Sequence, residues 1–247
     1  MFHKTLHKSW AAFVILALGS ISHGFVVSPT TASVSTRSTT ATTTLHAVQI
    51  EGYQEAFAII DKCAVTGIPS DDLYDAVRVI DKNALKIYPN DDEKAALWDQ
   101  AHGSWKLQLA TGGGKFSTFK PVPIFAFAMI DEDNFGNGFG INQDFILLSL
   151  LGKHEFMTQR RQMPLNVDDM YVGASKITTW VPKFMANGMG LGKRASDWKA
   201  EGKRAPAFTF IGASDSSLLA RGGSGGIAIW TRLDKDIRPA AYGRSDN

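Results

Sequence analysis

The sequence predicts a mainly-β protein, an antiparallel β-barrel preceded by two or three covering α-helices. Apolar residues recur at helical spacing through the segment 51–102. The period changes to two after Gly103, where Trp105 and Leu107 alternate with polar neighbours, as in a strand with one buried face. Short strand candidates, among them the stretch 155–163, then follow at close spacing with no helices between them, which is typical of an antiparallel sheet that curls or closes.

The first 46 residues have the composition of a targeting segment. Residues 1–24 contain two lysines and then an apolar run of about 8 to 10 residues, too short to cross a bilayer, as in a signal peptide. Residues 25–46 begin with Phe25 and are rich in Ser and Thr, and no acidic residue precedes Glu51. This arrangement resembles the bipartite plastid presequence of algae such as diatoms. The alternative is a secreted protein with a Ser/Thr-rich stalk, which the single cysteine, Cys63, disfavours.

The charge balance gives no reason to expect a nucleic-acid partner. The chain has 26 Lys and Arg against 24 Asp and Glu, but Lys4, Lys8 and Arg37 belong to the predicted presequence. Removing these three leaves 23 basic residues against 24 acidic ones, a net charge of about −1. The remaining length suffices for one domain with its own core, which we assign to N-terminal helices over 51–102 and a barrel over 103–240.

Two helices and a shorter third one are predicted before the barrel. The first has Tyr53, Phe57 and Ile60 at helical spacing, and Pro89 ends the second. The third begins at Asn90, whose side chain can cap it. We expect these helices to cover one end of the barrel.

The glycine run in "GSWKLQLATGGGKF" invites comparison with a phosphate-binding loop. Such a loop needs a glycine where this chain has Leu109, and a Ser or Thr where it has Phe116. A flexible turn at Gly112–Gly114 is therefore the prediction.

Signatures of the common enzyme classes are missing. The His154-Glu155 pair lacks the second histidine of a zinc helix, and no Gly-x-Ser-x-Gly motif occurs. Adjacent strand residues point to opposite faces, so Asp168 and Asp169 should not act together, and one arginine of the pair 160–161 could face inward. We predict no catalytic residue, no cofactor and no metal site.

The segment 180–206 is predicted to be a long insertion loop. It carries six basic side chains against two acidic ones, a net charge of +4, mixed with aromatic residues. It could gate the barrel or lie on an anionic lipid surface, where each cation contributes about 1 kcal/mol; a solvated lid is the alternative. The candidate residues are Trp180, Lys183, Phe184, Lys193, Arg194 and Trp198.

Three stretches together resemble the plastid lipid-associated protein (PAP)/fibrillin family. They are "LWDQAHGSWKLQLATGGGKF", "FKPVPIFAFAMIDEDNFGNGFG" and "SDSSLLARGGSGGIAIWTRL". The resemblance implies a lipocalin-like barrel, without demonstrated catalysis in most members. It also implies association with thylakoids or plastoglobules and with carotenoids, quinones and other plastid lipids. The long basic loop and the middle of the chain depart from the family pattern.

A barrel of about eight strands has room inside for side chains or one small apolar ligand. The lining candidates are Leu107, Leu109, Phe125, Phe127, Phe145 and Trp230, with Ala126 and Ala128 as the alternatives to the two phenylalanines of their strand. In lipocalin-like barrels an arginine from the last strands packs over the Gly-x-Trp tryptophan. The predicted barrel closure therefore consists of Gly103, Trp105 and either Arg221 or Arg232.

The leading hypothesis is a non-enzymatic plastid protein that carries an apolar lipid, quinone or carotenoid, or supports thylakoid structure. The first alternative is an enzyme acting on a plastid lipid or pigment, for which Asp144, Glu155, Arg160 and Asp168 are the candidate ionisable groups. The second is an assembly protein of the photosynthetic apparatus whose barrel is filled by its own side chains.

Overall fold

The computed structural model describes residues 52–112 and 118–237. The predicted presequence lies outside the described residues, as do Gly113, Gly114 and the last three residues of the predicted barrel range.

Three helices precede the sheet: α1 (Tyr53–Thr66), α2 (Leu73–Ile87) and α3 (Asp91–Ala101). The α3 helix begins as predicted, because the Asn90 side chain accepts a hydrogen bond from the Glu93 amide at 3.0 Å. Within the described part of the chain, no helix is long and apolar enough to cross a membrane.

The described residues form one antiparallel sheet of eleven strands. The strands are β1 (Gly103–Thr111), β2 (Phe119–Pro121), β3 (Phe125–Ile130), β4 (Asn134–Asn142), β5 (Phe145–Lys153), β6 (Gln162–Pro164), β7 (Asp169–Val172), β8 (Ser175–Lys176), β9 (Ala207–Ala213), β10 (Ser217–Gly222) and β11 (Ile227–Arg232). Their spatial order is β6-β9-β10-β11-β1-β3-β4-β5-β7-β8, with β2 paired to β1. The predicted fold class, a mainly-β antiparallel fold preceded by helices, is confirmed.

The segment 162–172 joins the two edges of the sheet. Its first part, β6, pairs with β9, and its last part, β7, pairs with β5. Between them, an isolated bridge joins His154 to Leu165, and the Asp168 amide donates to the Leu151 carbonyl at 2.8 Å. Counting β6 and β7 as one shared strand, eight strands complete the circuit, which gives the barrel that the sequence predicts.

Two segments differ from their predicted structure. The stretch 155–163, predicted as a strand, instead contains a 3-10 turn at Thr158–Arg160, followed by Arg161 in the left-handed conformation. The segment 180–206, predicted as a loop, contains two short helices, α4 (Lys183–Met189) and α5 (Ala195–Ala200).

The barrel wall separates two hydrophobic clusters. The interior cluster contains side chains from the strands and from α3, including Trp105, Leu107, Phe135, Met163, Phe208, Phe210, Leu218 and Trp230. The outer cluster lies between the wall and the first two helices, and includes Phe57, Ile60, Val77, Ile80, Leu109, Ile211, Leu219 and Ile229. The α1 and α2 helices therefore cover the side of the barrel rather than one end, and only α3 lies over an end.

Polar contacts fix α1 and α2 to the wall. The hydroxyls of Ser214 and Ser217 both donate to Asp61 of α1, at 2.6 and 2.5 Å. In α2, Asp81 forms an ion pair with Arg221 of β10 at 2.6 Å. Because each partner is well separated in sequence, these contacts order the helices relative to the sheet.

Candidate functional site

One end of the barrel, which we call the base, is closed by Trp105 and Arg232. The Arg232 guanidinium lies over the indole ring, 4.1 Å from its centroid, and the indole N–H donates to the Ala101 carbonyl at 2.8 Å. Gly103 has a φ of 126°, and a Cβ there would lie 2.7 Å from the Arg232 Nη1 atom. The base therefore needs glycine at this position, both for its backbone conformation and for the approach of the arginine.

Arg221, the other predicted closure candidate, does not lie at the base. It pairs with Asp81 and also donates to the Gly225 carbonyl at 2.9 Å. Of the two arginines, the structure thus brings only Arg232 to Trp105.

Two of the predicted lining residues, Leu107 and Trp230, lie in the interior cluster. Leu109 does not, because the register of β1 against β11 shifts between Leu107 and Leu109. One extra residue in a strand moves the following side chains to the opposite face. Leu109 accordingly packs under the helices in the outer cluster.

Strand β3 presents its small residues to the interior. Ala126 and Ala128 belong to the interior cluster, so alternation directs Phe125 and Phe127 to the outer face, which corrects their predicted role. Phe145, also predicted to line the interior, lies at the start of β5 with 57% of its surface exposed.

Aromatic side chains that were not predicted as part of the site fill the base. Trp98 of α3 stacks on Phe156 with 4.4 Å between the ring centroids. The rings of His102 and His154 contact Trp98 edge-on, with centroid distances of 4.8 and 4.9 Å. Phe210 also lies within 6.2 Å of Phe156. The sequence offered no strand periodicity for four of them, because Trp98 and His102 come from the end of α3 and His154 and Phe156 from the irregular segment after β5. Phe210 belongs to β9, where it alternates with Phe208.

The opposite end of the barrel, which we call the mouth, is less completely packed on its β3–β5 side. Phe139 pairs with Ala126 and with Leu148, so all three side chains share the interior face. Phe139 and Leu148 are nevertheless only partly buried. Asn137, two residues from Phe139 toward the base, shares that face through its pairing with Ala128, and its amide oxygen is enclosed without a hydrogen-bond partner. A partly accessible apolar surface at the mouth thus has one unpaired polar atom below it on the interior face.

A separate surface cavity of about 460 Å³ lies beside the base. His102, Gly103 and Met129 line it together with three acidic residues, Asp131, Glu132 and Asp236. Burial lowers the pKa of His102, so its imidazole favours the neutral form. The acidic lining distinguishes this cavity from the apolar mouth.

None of the four predicted candidates for an enzyme's ionisable group belongs to the interior cluster. Asp144 forms an exposed ion pair with Lys235 at 2.8 Å, Glu155 and Arg160 are exposed, and Asp168 pairs with Arg194 at 2.9 Å. Within the described segments, His, Cys, Asp and Glu residues form no group that could hold a metal ion.

The six predicted residues of the insertion segment have different environments. Trp180 and Phe184 are 83% and 77% exposed, and Lys183 is exposed beside them. Trp198 is buried, with Lys193 at 4.8 Å from its ring centroid. The remaining residue, Arg194, ties the segment to the barrel through its ion pair with Asp168.

A compact ion-pair network holds the second part of this segment. Glu201 accepts hydrogen bonds from Lys193 and Lys203, and these bonds lower its pKa to about 2. The segment 180–206 is therefore a small structured unit with its own buried tryptophan, and we call it the lid.

Comparisons with known proteins identify two structures with partial similarity. One is a lipocalin-like protein from Bacteroides uniformis ATCC 8492, with 13% identity over 54% of this chain and 99% of that chain and a TM-score of 0.34. The other is an uncharacterized protein from Bacteroides eggerthii DSM 20697, with 12% identity over 53% of this chain and 98% of that chain and a TM-score of 0.34. No family model and no curated protein matches the chain. At these identities and TM-scores, the two similarities assign neither a ligand nor a function to this chain.

Proposed function

We propose that the protein is a non-enzymatic plastid protein that binds an apolar small molecule or lipid at the barrel mouth. The observation that carries this proposal is the pair Phe139 and Leu148, which face the interior yet are only partly buried, whereas the base is packed with aromatic side chains. Covering such a surface stabilises a complex by about 25 cal/mol per Å² of apolar area. An apolar ligand would therefore be bound with few polar contacts.

Asn137 would provide one of those polar contacts. Its enclosed, unpaired amide oxygen can accept a hydrogen bond from a hydroxyl group of the ligand. Binding sites for small molecules typically combine an apolar lining with a small number of such polar groups. The resemblance to the PAP/fibrillin family and the predicted presequence favour a plastid lipid, quinone or carotenoid as the ligand.

A charged side chain at the mouth tests whether the ligand binds there. We expect Leu148→Glu to reduce the amount of co-purified lipid or pigment about tenfold, since a carboxylate against the ligand would cost about 1.4 kcal/mol or more. The measurement is mass spectrometry of an organic extract of the purified protein. Leu85→Glu is the matched control, because Leu85 is 69% exposed on α2, on the side of the barrel, and should leave the recovery unchanged.

The outcome also separates the alternatives. Equal recovery from both variants would place the ligand away from the mouth. Recovery of no ligand from the unmodified protein, together with turnover of a plastid lipid, would favour the enzyme hypothesis. No ligand and no turnover would favour an assembly protein with a filled barrel, a function that the close packing of Trp98, Phe156 and Phe210 also supports.

We further propose that the lid rests on the surface of a thylakoid membrane or plastoglobule. Trp180 and Phe184 project from it, and Lys183, Lys199 and Arg204 are exposed and form no ion pair within the described segments. Exposed aromatic rings beside basic side chains suit the boundary of an anionic lipid layer, where each cation contributes about 1 kcal/mol.

Vesicle binding tests whether the lid contacts a membrane surface. We expect the double variant Trp180→Ser, Phe184→Ser to bind vesicles that contain anionic lipid about tenfold more weakly than the unmodified protein, a loss of about 1.4 kcal/mol. Cosedimentation at two salt concentrations measures the affinity, and added salt should weaken it. Phe145→Ser removes an exposed aromatic ring outside the lid and serves as the control. If both variants bind as the unmodified protein does, the lid is a solvated cover.

A further inference from the structure

Arg161 is a buried arginine whose charge is incompletely paired. Only 8% of its surface is exposed, although Arg160 beside it is exposed. The Nε and Nη1 atoms of Arg161 are enclosed and have no hydrogen-bond partner. An unpaired buried donor destabilises the fold, and more so when the group is charged. Within the described segments, no carboxylate forms an ion pair with this guanidinium.

The backbone of Arg161 adds a second cost at the same place. With a φ of 50°, it is the one non-glycine residue of the described segments that has a positive φ. The left-handed conformation is unfavourable for an L-residue with a side chain, because its Cβ approaches the following carbonyl oxygen. Two hydrogen bonds hold it, from its own amide to the Thr158 carbonyl at 3.1 Å and from the Phe210 amide to its carbonyl at 2.8 Å. Strain that a fold retains in this way often coincides with a functional position.

The charged and polar groups around Arg161 do not form an ion pair with it. Its electrostatic neighbours are Tyr88, which is buried after the end of α2, and Asp81. Asp81 is already engaged by Arg221 at 2.6 Å, so its carboxylate does not complete the bonds of Arg161. Burial lowers the pKa of Arg161, while Tyr88 and Asp81 oppose that shift. The guanidinium thus lies between β9 and the junction of α2 and α3, at the base of the barrel.

We propose that Arg161 anchors a binding site for an oxyanion, either a carboxylate or a phosphate group. A guanidinium presents its N–H groups in a planar fork that matches both groups. Binding would satisfy the enclosed donors and offset the cost of the strained backbone. The site is distinct from the mouth and does not require the ligand proposed there.

Thermal unfolding of the purified protein tests the site, with chloride as the reference salt. We expect inorganic phosphate or the fatty-acid anion laurate to raise the unfolding temperature, because a ligand that binds only the folded state stabilises it. The shift should disappear in Arg161→Asn and persist in Arg160→Asn, its exposed neighbour. A shift with phosphate identifies the phosphate group as the ligand chemistry, whereas a shift with laurate alone identifies a lipid carboxylate.

The choice of variants keeps the test decisive. Asparagine tolerates the left-handed conformation, so Arg161→Asn removes the charge while preserving the backbone. Arg161→Gly, which adopts a positive φ without strain, replaces it if the asparagine variant does not fold. Equal shifts in the variants of Arg160 and Arg161 would reveal a general salt effect, and the absence of any shift would mean that water alone satisfies the guanidinium. Either result would overturn the proposal.

Discussion

Replacing Arg232 by Met is expected to lower the free energy of unfolding by about 3 kcal/mol. The Arg232 guanidinium donates hydrogen bonds to three backbone carbonyls, those of Gln100 at 2.7 Å, His102 at 2.8 Å and Asp215 at 2.9 Å. It also lies 4.1 Å above the Trp105 ring. Methionine retains part of the apolar contact with the ring but leaves the three carbonyls without their charged donor. Chemical denaturation monitored by tryptophan fluorescence measures the change.

Arg221→Met is the matched control for this experiment. Arg221 also comes from the last strands, but its ion pair with Asp81 joins two side chains that are each about one-third exposed. Such a partly solvated pair contributes about 1 kcal/mol or less. Equal losses in the two variants would show that Arg232 has no special role in closing the base.

The closing arginine illustrates how far the sequence could specify the site. The lipocalin-like barrel implied by the resemblance predicts that an arginine from the last strands packs over Trp105, but the sequence leaves Arg221 and Arg232 as equivalent candidates. The distinction requires the register of β11 against β1, in which Arg232 is opposite Trp105. Register depends on pairing between distant segments, and the sequence of either strand alone does not determine it.

The lining residues were less predictable because a strand pattern does not reveal a bulge. Alternation from Trp105 through Leu107 correctly indicated the interior face, and continued alternation wrongly included Leu109. The shift between Leu107 and Leu109 depends on how β1 fits β11, and both leucines are buried, so hydrophobicity does not distinguish them.

In β3 the size of the side chains was misleading. The phenylalanines are the more hydrophobic set, yet Ala126 and Ala128 face the interior. Large side chains from other strands, including Trp105 and Trp230, already occupy that space, and small barrels fit such residues by placing small ones opposite. The choice of face is therefore a property of the whole barrel, which the pattern of a single strand cannot supply.

Gly152→Ala is expected to lower the free energy of unfolding by at least about 3 kcal/mol. Gly152 lies where the segment 162–172 completes the barrel against β5, a junction that we call the seam. A Cβ at Gly152 would overlap the Asn166 carbonyl oxygen and lie 3.0 Å from the Asp168 amide nitrogen. Both of these atoms belong to the backbone of the segment that completes the barrel against β5, so neither can rotate away. The substitution would force this segment outward and weaken the hydrogen bond from the Asp168 amide to the Leu151 carbonyl.

Gly223→Ala provides the control, because a Cβ at Gly223 would meet no atom within 4 Å and its φ is not in the left-handed region. This change should alter the free energy of unfolding by no more than about 0.5 kcal/mol. Denaturant unfolding compares the two variants, and hydrogen exchange at Asp168 reports on the seam itself. We expect faster exchange at that amide in Gly152→Ala only. If exchange at Asp168 were unchanged and the two variants equally stable, the close approach of Gly152 and Asn166 could not be what closes the barrel.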